Sequence, residues 1–343
     1  MAAIAVAVSH FRGAFAIDLP NAGLAVDFFF ALSGFVIAHA YERRLETGEL
    51  SAGEFAKLRI IRLYPLYALG AALGALALAL GMLWSPITGS ASLALICAVM
   101  MAPAFGLSSH LYMLNPPSWS LFFELIANIG YGYCHRRLRS LTVLVAAIVV
   151  MAALLVIAGI MRESLDFGWQ SGKRFIGGFL RVGFSFLVGL LLYRLYRSRP
   201  ASFRMSPWVP GLILLVVLFA DLGPALLLTY QLVAVLVLFP ALLWVASGIE
   251  TKPSDRPMLV ALGTASYPLY AIHYPLYMLA DGTADRVGLD LDAWAPASGI
   301  ILLALIFGLS LLVYRIFDVP VRRALARYFL ASRRQDKAVA VGS

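Results

Sequence analysis

Apolar runs of about 16 to 24 residues follow one another along almost the whole chain, separated by short polar connections. Runs this long and this free of charge are read as segments that cross a lipid bilayer. The pattern predicts crossings at about 2–17, 23–41, 63–83, 118–134, 141–161, 175–196, 207–221, 225–247, 257–280 and 296–317. Helix is the expected state for each, because an open strand would leave backbone polar groups unpaired in hydrocarbon. The expected fold is therefore all-α, a polytopic transmembrane helical bundle of about ten spanning helices. The connections are too short for a soluble module. Residues 1–320 are thus expected to form one integral membrane domain, followed by a basic cytoplasmic tail at 321–343. The chain shows no internal repeat, and its first apolar stretch lacks the basic flank of a removable signal peptide.

A further apolar stretch at 91–107 is assigned by the loop charges, because basic residues mark cytoplasmic loops. Arginines and lysines gather in 41–62, 135–140, 194–206 and the segment after Pro320, while 281–295 holds Asp281, Asp285, Asp290 and Asp292. If 91–107 is re-entrant or interfacial rather than spanning, all four basic segments fall inside. Both termini are then cytoplasmic and the acidic segment lies outside.

Composition agrees with a membrane class. Hydrophobic residues make up 62% of the chain and charged residues 13%, with a mean hydropathy of +0.87. A soluble chain carries roughly a quarter charged residues. The formal net charge of +9 sits mostly in connecting segments. Orientation and acidic membrane lipids account for it, and no nucleic-acid partner is implied. Cys97 and Cys134 lie in apolar surroundings and define neither a disulfide framework nor a metal site.

Ionisable groups inside crossings are functional candidates by default. Here they are His10, Arg12, Asp27, Glu124, Arg181, His273 and Arg315. A neutral imidazole at His10 can take a proton from a hydroxyl near neutral pH, although a packing histidine bonded to a carbonyl would look the same in sequence. Asp27 enters the second crossing near its outer end, and Ser33-Gly34 permits close helix approach. Arg59 and Arg62 share a helix face at the cytoplasmic mouth of the third crossing. Two guanidinium forks there suit phosphate groups, or anchor the chain to lipid phosphates. Glu124, after Asn115-Pro-Pro-Ser-Trp119-Ser120, would be neutral or paired within the bilayer. His10 is its candidate partner, in which case Glu124 would orient the imidazole. Otherwise Glu124 is a protonated acid joining two helices. Tyr270, His273 and Tyr277 neighbour one another on a helix distorted by Pro268 and Pro275, as expected for a cavity-lining crossing. Arg181 could meet an anionic ligand or pair with Glu124. No phosphate-binding loop, nucleophile elbow or zinc motif occurs, and no metal is implied.

Taken in order, these pieces resemble the acyltransferase-3 family of bacterial membrane O-acyltransferases, which modify surface polysaccharides and other glycans. They are His10, Val26-Asp-Phe-Phe-Phe-Ala-Leu-Ser-Gly-Phe, Arg59-Ile-Ile-Arg62 with Tyr64-Pro65, Trp119-Ser-Leu with Glu124, Ser266-Tyr-Pro-Leu-Tyr-Ala-Ile-His273, and Asp318-Val-Pro320. The likeness covers about residues 1–327. It implies an acyl-CoA co-substrate, acetyl-CoA in the simplest case, held from the cytoplasmic side of a bacterial inner membrane. It implies His10 as the catalytic histidine, with Glu124 beside it, and Arg59 and Arg62 as the family's Arg-x-x-Arg motif. The substrate-binding set is then Asp27, Trp119, Ser120, Tyr270 and His273, around a glycan or lipid-linked sugar acceptor. The family's arginine ahead of its histidine would here precede Met1, so further coding sequence upstream is expected. A transporter or flippase of a lipid-linked sugar would use similar intramembrane polar groups, but the paired broken helices of such proteins are missing.

Overall fold

In the computed structural model the protein is described over residues 1–82, 90–107, 110–170 and 172–330. These residues are helical, apart from loops and isolated bridges at His110–Gln170 and Phe203–Ile249. Along the chain run α1 (Ala2–His10), α2 (Arg12–Phe15), α3 (Ala25–Glu46), α4 (Ala52–Ala79), α5 (Ala91–Val99), α6 (Trp119–Leu138) and α7 (Leu141–Arg162). They continue with α8 (Lys173–Ser198), α9 (Trp208–Phe219), α10 (Leu227–Val233), α11 (Phe239–Ser247), α12 (Arg256–Arg286), α13 (Ala297–Val313) and α14 (Val319–Leu330).

Among the described residues, six helical segments are long and apolar enough to cross a membrane. They are Ala22–Glu46, Ala52–Ala79, Leu141–Arg162, Lys173–Ser198, Leu227–Ser247 and Ala297–Phe329. The expected count of about ten is therefore not confirmed, for two physical reasons. Helices α1 and α9 are too short: at 1.5 Å per residue the nine residues of α1 rise only about 14 Å. Helices α6 and α12 are long enough but too polar, because they carry most of the candidate-site residues. The first expected crossing also breaks. α1 stops at His10, and the chain restarts as the four-residue α2 before Ala16 takes a left-handed conformation with φ 53°. Helix α5 has nine residues, about half of a crossing, and its last carbonyls at Ala98 and Val99 accept from the Tyr67 and Tyr64 hydroxyls. Of the expected basic tail, residues 321–330 belong to α14, and 331–343 lie outside the described residues.

Two helix joints have one origin. α10 runs into α11, and α13 into α14, through π-helical turns at Ala234–Leu238 and Tyr314–Asp318. Pro240 and Pro320 follow these turns. Each proline lacks the N–H that would bond four residues back, and its ring crowds that carbonyl, so the helix widens just before it. The second turn fixes where Asp318 points.

The centre of the bundle is the parallel pair α3 and α8. A Cβ on Gly34 would meet the Phe186 carbonyl at 2.1 Å, and one on Gly189 would meet the Ala31 carbonyl at 2.0 Å, so only glycine lets the two backbones approach this closely. Ion pairs lock both ends of the pair. Asp27 holds Arg181 at one end, and Glu42 holds Arg194 at the other. Arg194 Nη1 also donates to the Leu138 carbonyl at 2.5 Å, which ties the end of α6 to the same place. The ends that carry Arg43, Arg44, Arg136, Arg137 and Arg139 thus meet at one pole of the bundle. Helix α4 begins near that pole with a capping box between Ser51 and Glu54. Beside it lies α12, in which Pro275 leaves the Ala271 carbonyl without a helical donor. The Asn115 side-chain amide supplies one at 2.8 Å. The Asn-Pro-Pro turn ahead of α6 is thereby fastened to the middle of α12.

Candidate active site

The break after α1 leaves His10 at a helix end, pressed against α12. His10 Nδ1 lies 2.8 Å from the Val6 carbonyl and 3.1 Å from His273 Nε2. His273 is fully buried, and its Nδ1 lies 2.9 Å from the Tyr270 carbonyl and 3.1 Å from that of Leu269. A carbonyl oxygen only accepts, so these partners assign the hydrogen of both neutral rings to Nδ1. His273 Nε2 then carries a lone pair and accepts from the His10 Nδ1–H, which it shares with Val6. His10 Nε2 is left with its lone pair. Tyr274 closes on the His10 ring edge-on at 5.4 Å, and Phe11 stacks on Tyr277 at 4.5 Å, so the ring is confined on the α12 side.

His10 lines a cavity of about 460 Å³, within the range of small-molecule sites. Among the sequence candidates, Arg12, Trp119, Arg181 and Tyr270 share its wall. Ser120 stands behind Tyr270, with the two hydroxyls 2.6 Å apart, and the Tyr270 hydroxyl also reaches the Pro117 carbonyl at 3.0 Å. Asp27, expected among the substrate-binding residues, does not open to the cavity. It is wholly buried, and Arg181 Nη2 donates to its Oδ2 at 2.5 Å while Nε lies 3.1 and 3.2 Å from its two oxygens. The remaining donors of Arg181 reach the Phe167 and Gly23 carbonyls at 2.9 and 2.8 Å, and its guanidinium lies 5.2 Å over Trp119. Arg181 is therefore the partner of Asp27 rather than of Glu124, and the pair forms a neutral floor to the cavity.

The partners of Glu124 in the structure are Ser33 and Arg59 rather than His10. Glu124 Oε1 accepts from Ser33 Oγ at 2.8 Å and lies 3.6 Å from Arg59 Nη2. The geometry follows from α6, on which Glu124 sits one turn past Ser120, away from His10. Arg62 Nη1 lies 3.5 Å from Asp318 Oδ2, and the guanidinium covers the Tyr267 ring at 4.9 Å. Arg322 holds the same Asp318 oxygen at 2.7 Å. Arg59 Nε and Arg62 Nη1 are both buried and make no hydrogen bond. Tyr267 and His273 are six residues apart on α12, so the arginine layer lies about 9 Å along the helix axis from the histidine pair. Between the two layers stand Glu124, Ser33, Ser120 and Tyr270, a polar column through an otherwise apolar bundle. Neither arginine lines the cavity.

The cavity residues that were not candidates from the sequence include His110, Asp166 and Trp169. Their loops have no periodicity and lie outside the apolar runs, so nothing singled them out. No cluster able to hold a metal ion occurs among the described residues.

A family profile described as an acyltransferase domain matches residues 1–315. The chain belongs to the acyltransferase-3 family. As an acyltransferase-3 protein it is a membrane acyltransferase. The matched stretch contains every candidate-site residue named above, with Asp318 just beyond it. The chain is also similar to a protein of Rhizobium radiobacter called "Protein 2 in picA locus", 39% identical over 173 residues, which is 46% of this chain and 89% of that protein. No solved structure matches the chain.

Proposed function

We propose that this acyltransferase-3 protein moves an acetyl group from acetyl-CoA to a hydroxyl of a carbohydrate. The observation that carries this reading is the engagement of His10 Nδ1 by the Val6 carbonyl and His273 on a residue that lines the cavity, which assigns the ring's free lone pair to Nε2. In this reaction the acceptor hydroxyl oxygen attacks the thioester carbonyl as His10 Nε2 takes its proton. The C–S bond then breaks, and the proton passes to the departing thiolate, giving the ester and free CoA. A short-lived acyl group on His10 itself would obey the same balance. The imidazolium formed either way still donates from Nδ1 to Val6 and to His273 Nε2. His273 thus serves as the positioning residue of His10, not as a substrate contact.

The donor's phosphates suit Arg59 and Arg62. Their buried Nε and Nη1 atoms make no hydrogen bond, Arg62 Nη1 having only the Asp318 carboxylate at ion-pair distance, and phosphate oxygens would supply acceptors. Glu124 and Asp318 keep the guanidiniums aligned until then. The pantetheine arm would follow the polar column between α4, α6 and α12, past Ser120 and Tyr270. Removing either arginine, as Arg59→Ala or Arg62→Ala, is expected to raise the KM for acetyl-CoA by about 10- to 100-fold, the scale of a hydrogen bond to a charged group. Initial rates against acetyl-CoA concentration check this, and an unchanged KM in both variants contradicts the phosphate assignment.

The basic pole of the bundle is taken as cytoplasmic in a bacterial inner membrane, with both termini on that side. Residues 1–320 then form the membrane unit and 321–343 its basic tail. The direction of α4 and α12 supports this: both rise from the arginine layer toward the histidine pair and the acidic segment 281–295. The direct test is purified protein in proteoliposomes with acetyl-labelled acetyl-CoA and a glycan acceptor. CoA release coupled to labelled glycan is expected. Glycan movement across the bilayer without CoA release would overturn the reading.

A further inference from the structure

Two loops, around 110–114 and 164–170, meet at the wall of the His10 cavity. Leu111 N donates to the Trp169 carbonyl at 3.4 Å, and His110 bridges to Gln170. The second loop is also pinned from below, where Gln231 Oε1 accepts from Leu165 N at 2.7 Å, and from within, where Asp166 N donates to Ser164 Oγ at 2.9 Å. On this frame the Trp169 indole is fixed twice. Its Nε1 donates to Asp166 Oδ1 at 2.9 Å, and its ring stacks on His110 with centroids 5.0 Å apart and planes 21° from parallel. The indole is only partly buried, and Trp169, His110 and Asp166 all line the cavity.

An aromatic ring with two fixing contacts loses little freedom when something lies on it, so the surface is pre-organised for a ligand. Its electron-rich face attracts polarised C–H groups, such as those on the apolar face of a sugar ring. The exposed carboxylate of Asp166 at the ring edge would accept from sugar hydroxyls. Charge narrows the class further. Arg181 is neutralised by Asp27 in a buried pair, whereas Arg12 and Asp18, 3.5 Å apart, are both exposed at the rim. The described lining offers a flat apolar face and hydroxyl acceptors, and its buried arginine, Arg181, is already paired with Asp27.

We propose that Trp169, braced by His110 and Asp166, is the platform on which the acceptor's sugar ring rests, and that this ring is an uncharged pyranoside. The proposal rests on the carbohydrate-acceptor reading above and adds the subsite and the charge class. It is tested by binding alone, without donor, on the full chain in lipid nanodiscs. The probes are the methyl glycosides of glucose, galactose, mannose and N-acetylglucosamine, with methyl glucuronide as the anionic comparison, followed by saturation-transfer NMR. At least one neutral glycoside is expected to bind saturably. Trp169→Ala is expected to weaken that binding by about tenfold or more, and Trp169→Phe, which keeps a ring, by less than about threefold. Undiminished binding by Trp169→Ala, preference for the glucuronide, or no glycoside bound by the wild-type chain each overturns the proposal. Binding that depends on Trp169 in a protein that never releases CoA from acetyl-CoA would instead overturn the enzymatic reading and leave the platform standing.

Discussion

His10→Ala is expected to lower acetyl transfer by at least about a thousandfold at saturating acetyl-CoA. A positioned general base contributes roughly 10²- to 10⁴-fold, and the upper part of that range applies where no other group can take over. His273 cannot replace His10, because it is fully buried with its Nε2 against the His10 ring, and the cavity's other bases, His110 and Asp166, are held against Trp169. Tyr270 and Tyr274 are weaker bases than imidazole. The loss should fall on kcat, with KM for acetyl-CoA close to wild type, since the arginine layer lies about 9 Å away along α12. His10 is partly exposed at a helix end, so the variant should fold normally, and an unchanged thermal midpoint checks this. A His10→Ala protein that keeps a tenth or more of the wild-type rate contradicts the assignment.

The largest expected effect on stability lies at the floor of the cavity. Asp27 and Arg181 are among the most buried charged residues in the chain, and the pair ties α3 and α8 to the loop that carries Phe167. Removing one partner leaves the other charge buried and unpaired, which destabilises by about 3–5 kcal/mol. Asp27→Ala and Arg181→Ala are each expected to lower the thermal midpoint by on the order of 10 °C. Asp27→Ala combined with Arg181→Leu should recover part of that loss, because no isolated charge remains. Thermal unfolding in one detergent, followed by intrinsic fluorescence, gives all three midpoints. Single variants within about 2 °C of wild type would mean that the pair is not the structural tie described here.

The helices were legible where long apolar runs force them, and the arginine step from Arg59 to Arg62 and the Tyr270–His273 face followed from helical spacing alone. The partners of these residues were not legible. Glu124 and His10 both lie in apolar surroundings, and chemistry alone suggested a pair. Only the packing of α3, α4 and α6 decides that Glu124 meets Ser33 and Arg59 instead. Asp27 and Arg181 are 154 positions apart, and no local pattern joins them. The break after His10 was hidden because Phe11 to Ile17 stay largely apolar, so the pattern continues while the helix does not. The number of crossings is not confirmed for a related reason. Periodicity and hydropathy identify buried helices, but in α6 and α12 the side chains that make the site also make the helix too polar to be identified as a crossing by composition. The loop residues His110, Asp166 and Trp169 have no periodic signature, and only the folded chain shows that they share a wall with His10.

The central claim is the protonation state of one ring. Solid-state ¹⁵N NMR of histidine-labelled protein in lipid, at neutral pH and without substrate, measures it directly, with the His10 signals identified by their absence in His10→Gln. The geometry predicts a neutral His10 with hydrogen on Nδ1 and a bare Nε2, hydrogen-bonded to a His273 of the same tautomer. A His10 ring carrying its hydrogen on Nε2, or one uncoupled from His273, would contradict it.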